Sequence, residues 1–338
     1  MKTRTRLGTA SAWLLALVAG AQTVEVKLAT ILPRGVGQDF IIRKLAEDWQ
    51  KTSGGTVTLK IAPGAQKDGE AGIVKKLNSK NYQAALLSAV GLAEIEKDVS
   101  ALQFMPLVFR DWEEVDFVRE KIRGRLEDKL RAKGFVVLFW ADAGWVNFFS
   151  RQKATTPAEF KKLSMFSWAG NTDQVEIMKA LGYHPVALET DNIHSSFASG
   201  MIESAPLAPI FAMGVQIPSV APHVVDVNWC PIVGAGIIRK DVWGKIPPDT
   251  QRKLQVLCDK AGAELRAEGR RFHDEALVAL RKGPKTHLHT PTPVERAQWD
   301  ALGAELGPRV RGKLVPTQIY DEVQQLLKEF RAEKIAGK

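Results

Sequence analysis

TTPAEFKKLSMFSWAGNTDQVEIMKALGYHPVALETDNIHSSFASGMIESAPLAP, residues 155–209, decides the fold. Short apolar runs and helical patterns alternate along it, with capping residues at each join. Thr155, Thr156 and Pro157 with Glu159 mark a helix start. The hydroxyl accepts from free N–H groups, proline has no N–H to leave unpaired, and the acid faces the positive helix end. Residues 163–168 are an apolar run of strand length. Asn171 or Thr172 caps the next helix, whose apolar positions Val175, Ile177, Met178 and Leu181 precede the stop Gly182. Residues 184–188 read as a second strand. Asp191 or Asn192 caps a further helix ended by Gly200, and 201–207 leads into a third extended segment. Three strands alternating with helices within about fifty residues predict a small parallel or mixed sheet. Ligands on such sheets sit at the carboxyl ends of the strands, here near Trp168, Leu188 and residues 203–206.

The chain of 338 residues is 45% hydrophobic and 25% charged, enough for two cores of roughly 150 residues each. Lys2, Arg4 and Arg6 precede an apolar stretch at 12–18 and the small residues Ala19, Gly20 and Ala21. That pattern predicts a secretory leader cleaved after Ala21, because the apolar core is too short to cross a bilayer. Removing those three cations takes the formal charge from +9 to +6 over the remaining 317 residues. Lysines and arginines are scattered among acids along helices rather than gathered on one element, which argues against nucleic acid as a partner. The two cysteines, Cys230 and Cys258, sit in an extended run and at an apolar helix position, and read as buried free thiols.

Along the rest of the chain, VEVKLATI (24–31) alternates as a half-buried strand and turns through Gly35 and Gly37 into a helix at 39–52. PRGVGQ has the glycine spacing of neither a dinucleotide loop nor a phosphate loop, so no nucleotide cofactor is expected. Strands follow at 57–62 and 84–88, separated by a helix at 70–77. A long helix at 112–133 ends at Gly134. FVVLFW (135–140) is wholly apolar, which predicts a central strand. Strands VVDVNW (224–229) and PIVGAGIIR (231–239) precede one helical pattern over 248–281, roughly 50 Å long at 1.5 Å per residue. The short run 286–288 is a last strand, and His287 and His289 share one face of it with no third ligand in reach, as on a solvated edge. These elements form two α/β lobes joined by extended strands, a hinge architecture that closes on a ligand. The expected boundaries are the leader at 1–21, a first lobe at 22–143 with 231–265, and a second lobe at 144–230 with 284–316. A spine helix at 248–283 runs across both, and a C-terminal helix occupies 317–338.

In order, KLATILPRG, KIAPGAQKDGE, AALLS, MPLVF, GFVVLFW, TTPAEFKKLSM, ALGYHPVAL, FASGMIESAP and WGKIPPDTQRKL resemble the solute-binding proteins of tripartite ATP-independent periplasmic (TRAP) transporters, dicarboxylate-receptor type. The resemblance covers nearly the whole mature chain. It implies a type II-like periplasmic binding fold with an interlobe cleft, a small organic solute as ligand, delivery to TRAP permease subunits in the membrane, and no catalysis. It also implies an arginine in the strand after the TPxxFKxL helix, forking onto a ligand carboxylate. Phe166 stands there in this chain, and Val146 stands where a second arginine follows the Gly-aromatic pair. Residues 200–206 keep one acid, Glu203, and lose the amide. A buried carboxylate without cations costs several kcal/mol, so these departures predict a ligand less anionic and more apolar than a simple dicarboxylate.

The candidate ligand contacts follow. Trp145, Phe166 and Trp168 lie at strand ends or crossings where aromatic faces can sandwich an apolar, cyclic or cationic ligand, and the resemblance places ligand contacts at those positions. Trp140 and Trp229 read equally as cleft or core. Gln66 and Ser88 end first-lobe elements and suit orienting hydrogen bonds or turn chemistry. Glu203 suits a ligand cation or hydroxyl, and Asn171 suits a helix cap. No metal ligand set and no nucleophile elbow is present. A receptor presenting its ligand to a sensor or partner protein, and a secreted enzyme, are the competing function classes. A monomer and a homodimer are both compatible with the C-terminal helices.

Overall fold

The alternation in VEVKLAT becomes β1 (Val24–Thr30), with Val24, Val26 and Leu28 buried and Glu25 and Lys27 exposed. The computed structural model describes residues 23–32, 34–35, 37–169 and 171–336, so the expected leader at 1–21 lies outside the described residues. After β1 come α1 (Gly37–Thr52), β2 (Val57–Ile61), α2 (Gly69–Asn78), β3 (Ala84–Ser88), α3 (Ala89–Ala93), α4 (Trp112–Ala132) and β4 (Phe135–Trp145). The middle of the chain gives β5 (Asn147–Ser150), α5 (Pro157–Phe160), β6 (Ser164–Trp168), α6 (Thr172–Ala180), β7 (His184–Leu188), α7 (Ile193–Ser199), β8 (Ser204–Leu207), α8 (Pro209–Gly214) and β9 (His223–Val225). It ends with β10 (Pro231–Arg239), α9 (Lys240–Trp243), α10 (Pro248–Lys282), β11 (His287–His289), α11 (Pro293–Val310) and α12 (Thr317–Ala336).

Two sheets make two lobes. The first runs β2-β1-β3-β10-β4 and the second β11-β9-β5-β8-β6-β7. β1 is parallel to β2 and β3, and β10 is antiparallel to both β3 and β4, so β4 runs the same way as β1 and β3. In the second lobe β6 is parallel to β7 and β8 while β5 is antiparallel to β8 and β9, so residues 155–209 supply the parallel part of a mixed sheet, within the parallel or mixed sheet they predict. The caps behave as their chemistry requires. Thr156 accepts from the Glu159 N–H while the Glu159 carboxylate takes the Thr156 N–H, a reciprocal capping box. The Asn171 side chain accepts from Gln174 N at 3.0 Å. α7 is entered differently, through the 3₁₀ turn Thr190–Asn192, and neither Asp191 nor Asn192 caps it with a side-chain bond.

β4 overturns one expectation. FVVLFW is not central; it is the edge strand of its sheet. Its residues are apolar on both faces because α10 covers one face and α4 the other, so burial of the faces says nothing about the edge. Side chains seal the free edge instead. The carbonyls of Leu138, Trp140 and Asp142 accept from Gln255 Nε2 (2.9 Å), Arg266 Nη1 (3.2 Å) and Gln38 Nε2 (2.9 Å) respectively. An exposed edge is a template for another chain, and side-chain caps of this kind block it. VVDVNW also differs: only His223–Val225 is strand, and Asn228 adopts a left-handed φ of 51° where the chain turns into the crossing.

Four segments join the lobes: β4 into β5, β9 into β10, the spine α10, and the passage from α11 to α12. α11 packs on α5 and α6 of the second lobe, whereas α12 packs back on α4 of the first. At the second lobe's edge, His287 of β11 stacks on His223 at 4.8 Å between centroids, and His289 Nε2 meets Glu295 at 2.7 Å. Glu295 also accepts from Thr155 Oγ1 (2.7 Å) and Thr292 N (2.8 Å), fastening α11 to the start of the 155–209 segment. The Thr155 hydroxyl, the Thr292 N–H and His289 hold its carboxyl low, at about 2. A depressed carboxylate stabilises the fold above its unfolded value of about 4.5 and loses that contribution as pH falls toward about 2. Glu295→Gln is therefore expected to flatten the acid limb of the unfolding midpoint between pH 4.5 and pH 2. An acid limb as steep as that of the parent would refute this.

Candidate interlobe binding cleft

The pairing pattern fixes where the two lobes face each other. β4 leaves the first lobe at the carboxyl ends of β1 and β3 and enters the second lobe as β5. β5 is antiparallel to β8, with Asn147 opposite Leu207, so the carboxyl end of β8 lies at the crossing, and those of the parallel β6 and β7 lie along the same edge. The carboxyl edges of both sheets thus border one cleft, with the crossing strands as its floor. From the first lobe come Thr30, the loop carrying Arg34 and Gly35, the 3₁₀ turn Ala65–Asp68, and Ser88. From the second come Trp168, Leu188, Leu207 and the start of α8.

The structure distributes the sequence candidates unevenly. Trp168 stands at the cleft edge, half-buried against the apolar cluster that contains Phe166 and partly buried Leu188 and Phe211. Phe166 sits two residues back in β6, 9% exposed within the same cluster, alongside Phe149 and Leu207. Ser88 is at the first-lobe edge, but its groups are engaged. Its hydroxyl donates to Glu70 Oε2 at 2.8 Å and its N–H to Glu70 Oε1 at 2.8 Å, while its oxygen caps α3 by accepting from Val90 N. Burial of the Glu70 carboxylate raises its pKa, against the lowering effect of the Ser88 and Gly91 donors. Gln66 lies in the turn at the same edge; its side chain is outside the described residues.

Trp145 and Trp229 belong to the hinge. Trp145 packs on Trp112 at 4.9 Å, and Trp229 meets Phe148 edge-on at 5.1 Å. Phe148 in turn contacts Phe160 at 4.9 Å and Trp299 at 5.2 Å. This chain of rings is one continuous apolar core crossing between the lobes. Two backbone bonds tie the crossings together, from Val146 N to Cys230 O and from Trp229 N to Val146 O, both 2.9 Å. Trp140 is buried within the first lobe, its Nε1 donating to Glu127 at 3.0 Å. Glu203 lies at the opposite edge of the second sheet, where its carboxylate accepts from Ser164 N at 3.1 Å and Ser164 Oγ at 3.4 Å. Arg151 is at that far edge too, close beside Gly200. Arg34, exposed on the loop between β1 and α1, stands on the cleft side.

Sequence reasoning missed a second set. Ile31 and Phe40, 42% and 60% exposed, follow β1 on the first-lobe edge, and Ile210 and Met213, 45% and 37% exposed, lie on α8 directly after β8. Their signal in the sequence is position, since each apolar side chain follows a parallel strand's carboxyl end. Exposed apolar side chains beside a cleft serve a ligand or the closing of one wall on the other. Burial pushes the free Cys230 and Cys258 thiols up to about 12. Among the described residues no group of three or more His, Cys, Asp or Glu could hold a metal, and no helix is long and apolar enough to cross a membrane.

Solved structures share this architecture. A TRAP periplasmic solute-binding protein from Shewanella oneidensis with bound succinate matches with a TM-score of 0.80 at 16% identity, over 90% of this chain and 99% of that one. One from Ralstonia eutropha H16 with bound (S)-2-acetolactate gives 0.80 at 15% identity, over 90% and 99%. One from Desulfovibrio salexigens with bound orotic acid gives 0.76 at 16%, over 90% and 100%. At such identities the likeness establishes the two-lobe fold. The model of bacterial extracellular solute-binding protein family 7 matches residues 35–309, most of the chain and both lobes, and the chain belongs to that family.

Proposed function

We propose that the chain captures a small organic solute between the carboxyl edges of its two sheets and delivers it to TRAP-type permease subunits from the periplasm. The solute has a larger apolar or ring-bearing body and fewer carboxylates than a simple dicarboxylate. The observation that carries this reading is Phe166. It occupies the position where the family resemblance expects a carboxylate-forking arginine, and it is buried in an apolar cluster that extends to Trp168 at the cleft edge. Val146 makes the same exchange at the crossing. Exposed Ile31, Phe40, Ile210 and Met213 add apolar surface on both walls. Arg34 offers one guanidinium on the cleft side, enough for a single carboxylate on an otherwise apolar body. Succinate, acetolactate and orotic acid all occupy relatives of this fold, so the side chains on the edges set the ligand class.

A thermal-shift screen of acids, polyols, amines and apolar compounds tests the proposal. A ligand at 100 times its Kd stabilises by about 2.7 kcal/mol through binding linkage. Compounds with an apolar or ring body are expected to raise the midpoint, and Trp168→Ala to abolish the rise with little change in the unliganded midpoint. Stabilisation by short dicarboxylates alone would sink the proposed ligand class.

A further inference from the structure

The crossing from β4 to β5 is held from one side by the spine helix, and a single imidazole makes the contact. His273 of α10 is buried, and its Nδ1 accepts the backbone N–H of Trp145 at 3.3 Å. The residue before, Gly144, has a φ of +102°, and a β-carbon there would lie 2.8 Å from His273 Cβ and 3.1 Å from Nδ1. Only glycine meets both the left-handed φ and the close approach of the helix. The next residue, Val146, exchanges backbone bonds with Trp229 and Cys230, and Asn147 Nδ2 donates to Asp226 Oδ1 at 2.9 Å on the returning crossing. Three of the four interlobe connections therefore meet within a few residues of this ring. Just upstream the helix is bolted to the same strand. Gly269 lets the Asp142 carbonyl approach so closely that a β-carbon would sit 1.8 Å from it. The first lobe and the spine are thus fastened to each other at Asp142, directly before the crossing.

We propose that His273 is a positioning residue for lobe closure. Its neutral ring pins Trp145 to the spine and sets the resting separation of the lobes, and protonation at Nδ1 releases the pin. A ring that accepts through Nδ1 carries its proton on Nε2; adding a second proton places an N–H against the Trp145 N–H, turning a bond into a repulsion. The charged groups that act on the ring are Asp226 from the returning crossing and the exposed Asp274 next to it on its own helix. Burial lowers the ring's pKa, and the two carboxylates act in the opposite direction without reversing it. The neutral form thus prevails at neutral pH and is lost as pH falls below the ordinary histidine value of about 6.5. The inference rests on the capture reading only in taking the lobes to move.

The test measures lobe separation without any solute, using spin labels at Glu47→Cys on α1 and Lys179→Cys on α6, both exposed positions, in the full mature chain. Between about pH 7.5 and about pH 5 the parent's distance distribution is expected to shift and broaden. His273→Asn, whose Oδ1 accepts without titrating, is expected to give one distribution at both values. An unshifted parent distribution, with ring ¹⁵N signals showing His273 protonated, overturns the proposal, and so does an equal shift in His273→Asn. If that variant fails to fold, Asp226→Asn decides. Loss of the facing carboxylate should move the transition to lower pH, and an unmoved midpoint overturns the pin. The capture reading fails separately, if no compound in the thermal-shift screen changes the label distances at pH 7.5.

Discussion

Asp142→Ala is expected to cost about 3–5 kcal/mol of stability, the range for removing one partner of a buried ion pair and leaving the others uncompensated. The Asp142 side chain is fully buried on β4. Its Oδ1 accepts from Arg119 Nη1 at 2.7 Å, and its Oδ2 accepts from Arg270 Nε at 2.9 Å and Nη2 at 2.6 Å. Arg119 is itself buried on α4, so it cannot turn to water when the carboxylate is gone. Asp116 still pairs with both arginines, which places the loss toward the lower end of the range. Arg270 also lies over the Trp112 ring at 4.5 Å, so α4, β4 and α10 loosen together. Urea unfolding at neutral pH gives the number. A loss under about 1 kcal/mol, the scale of an exposed pair, would show that Asp116 and solvent suffice.

Trp299→Ala carries the second large effect, also about 3–5 kcal/mol, as for other large aromatic deletions from a close-packed core. Trp299 is fully buried on α11 and touches Phe148, Phe160 and Trp229 at ring separations of 5.2, 5.8 and 6.4 Å. Its Nε1 donates to the Thr155 carbonyl at 2.9 Å, so truncation opens a cavity and strips a backbone acceptor of its partner at the same point. Because this ring cluster runs between the lobes, the variant is expected to lose lobe-to-lobe cooperativity. Tryptophan fluorescence and circular dichroism should then report separate unfolding midpoints. Coincident transitions near the parent midpoint would contradict both parts.

Local chemistry was legible wherever the interacting groups are close in sequence. Thr156 and Glu159 are three residues apart, and Asn171 and Gln174 likewise, so their bonds follow from spacing alone. The parallel β6-β7-β8 unit follows from the rhythm of 155–209, and the 35-residue α10 from one apolar face between Pro248 and Gly283. The resemblance then set those elements in a two-lobe receptor. The edge position of β4 was not legible, because its apolar composition reports cover on two faces while strand order depends on β10, which arrives some ninety residues later and inserts between β3 and β4. The roles of the tryptophans were hidden for a similar reason. An aromatic residue at a strand end has the same sequence signature in a cleft as in a hinge core, and only the arrival of Trp112 and Trp299 from distant helices separates Trp145 and Trp229 from Trp168.

By itself, then, the sequence determined the α/β class, most of the elements and the caps at Thr156 and Asn171. Those properties depend on residue type and on neighbours within a turn or two of chain. The tertiary structure alone decided which strand is an edge, which aromatic rings form the hinge, and how Asp142 and His273 fasten the crossing to the spine. Each of these depends on groups brought together from separate elements of the chain, as His273 is to Trp145, and a sequence read in order gives no measure of which distant side chain will fill the space beside a given one.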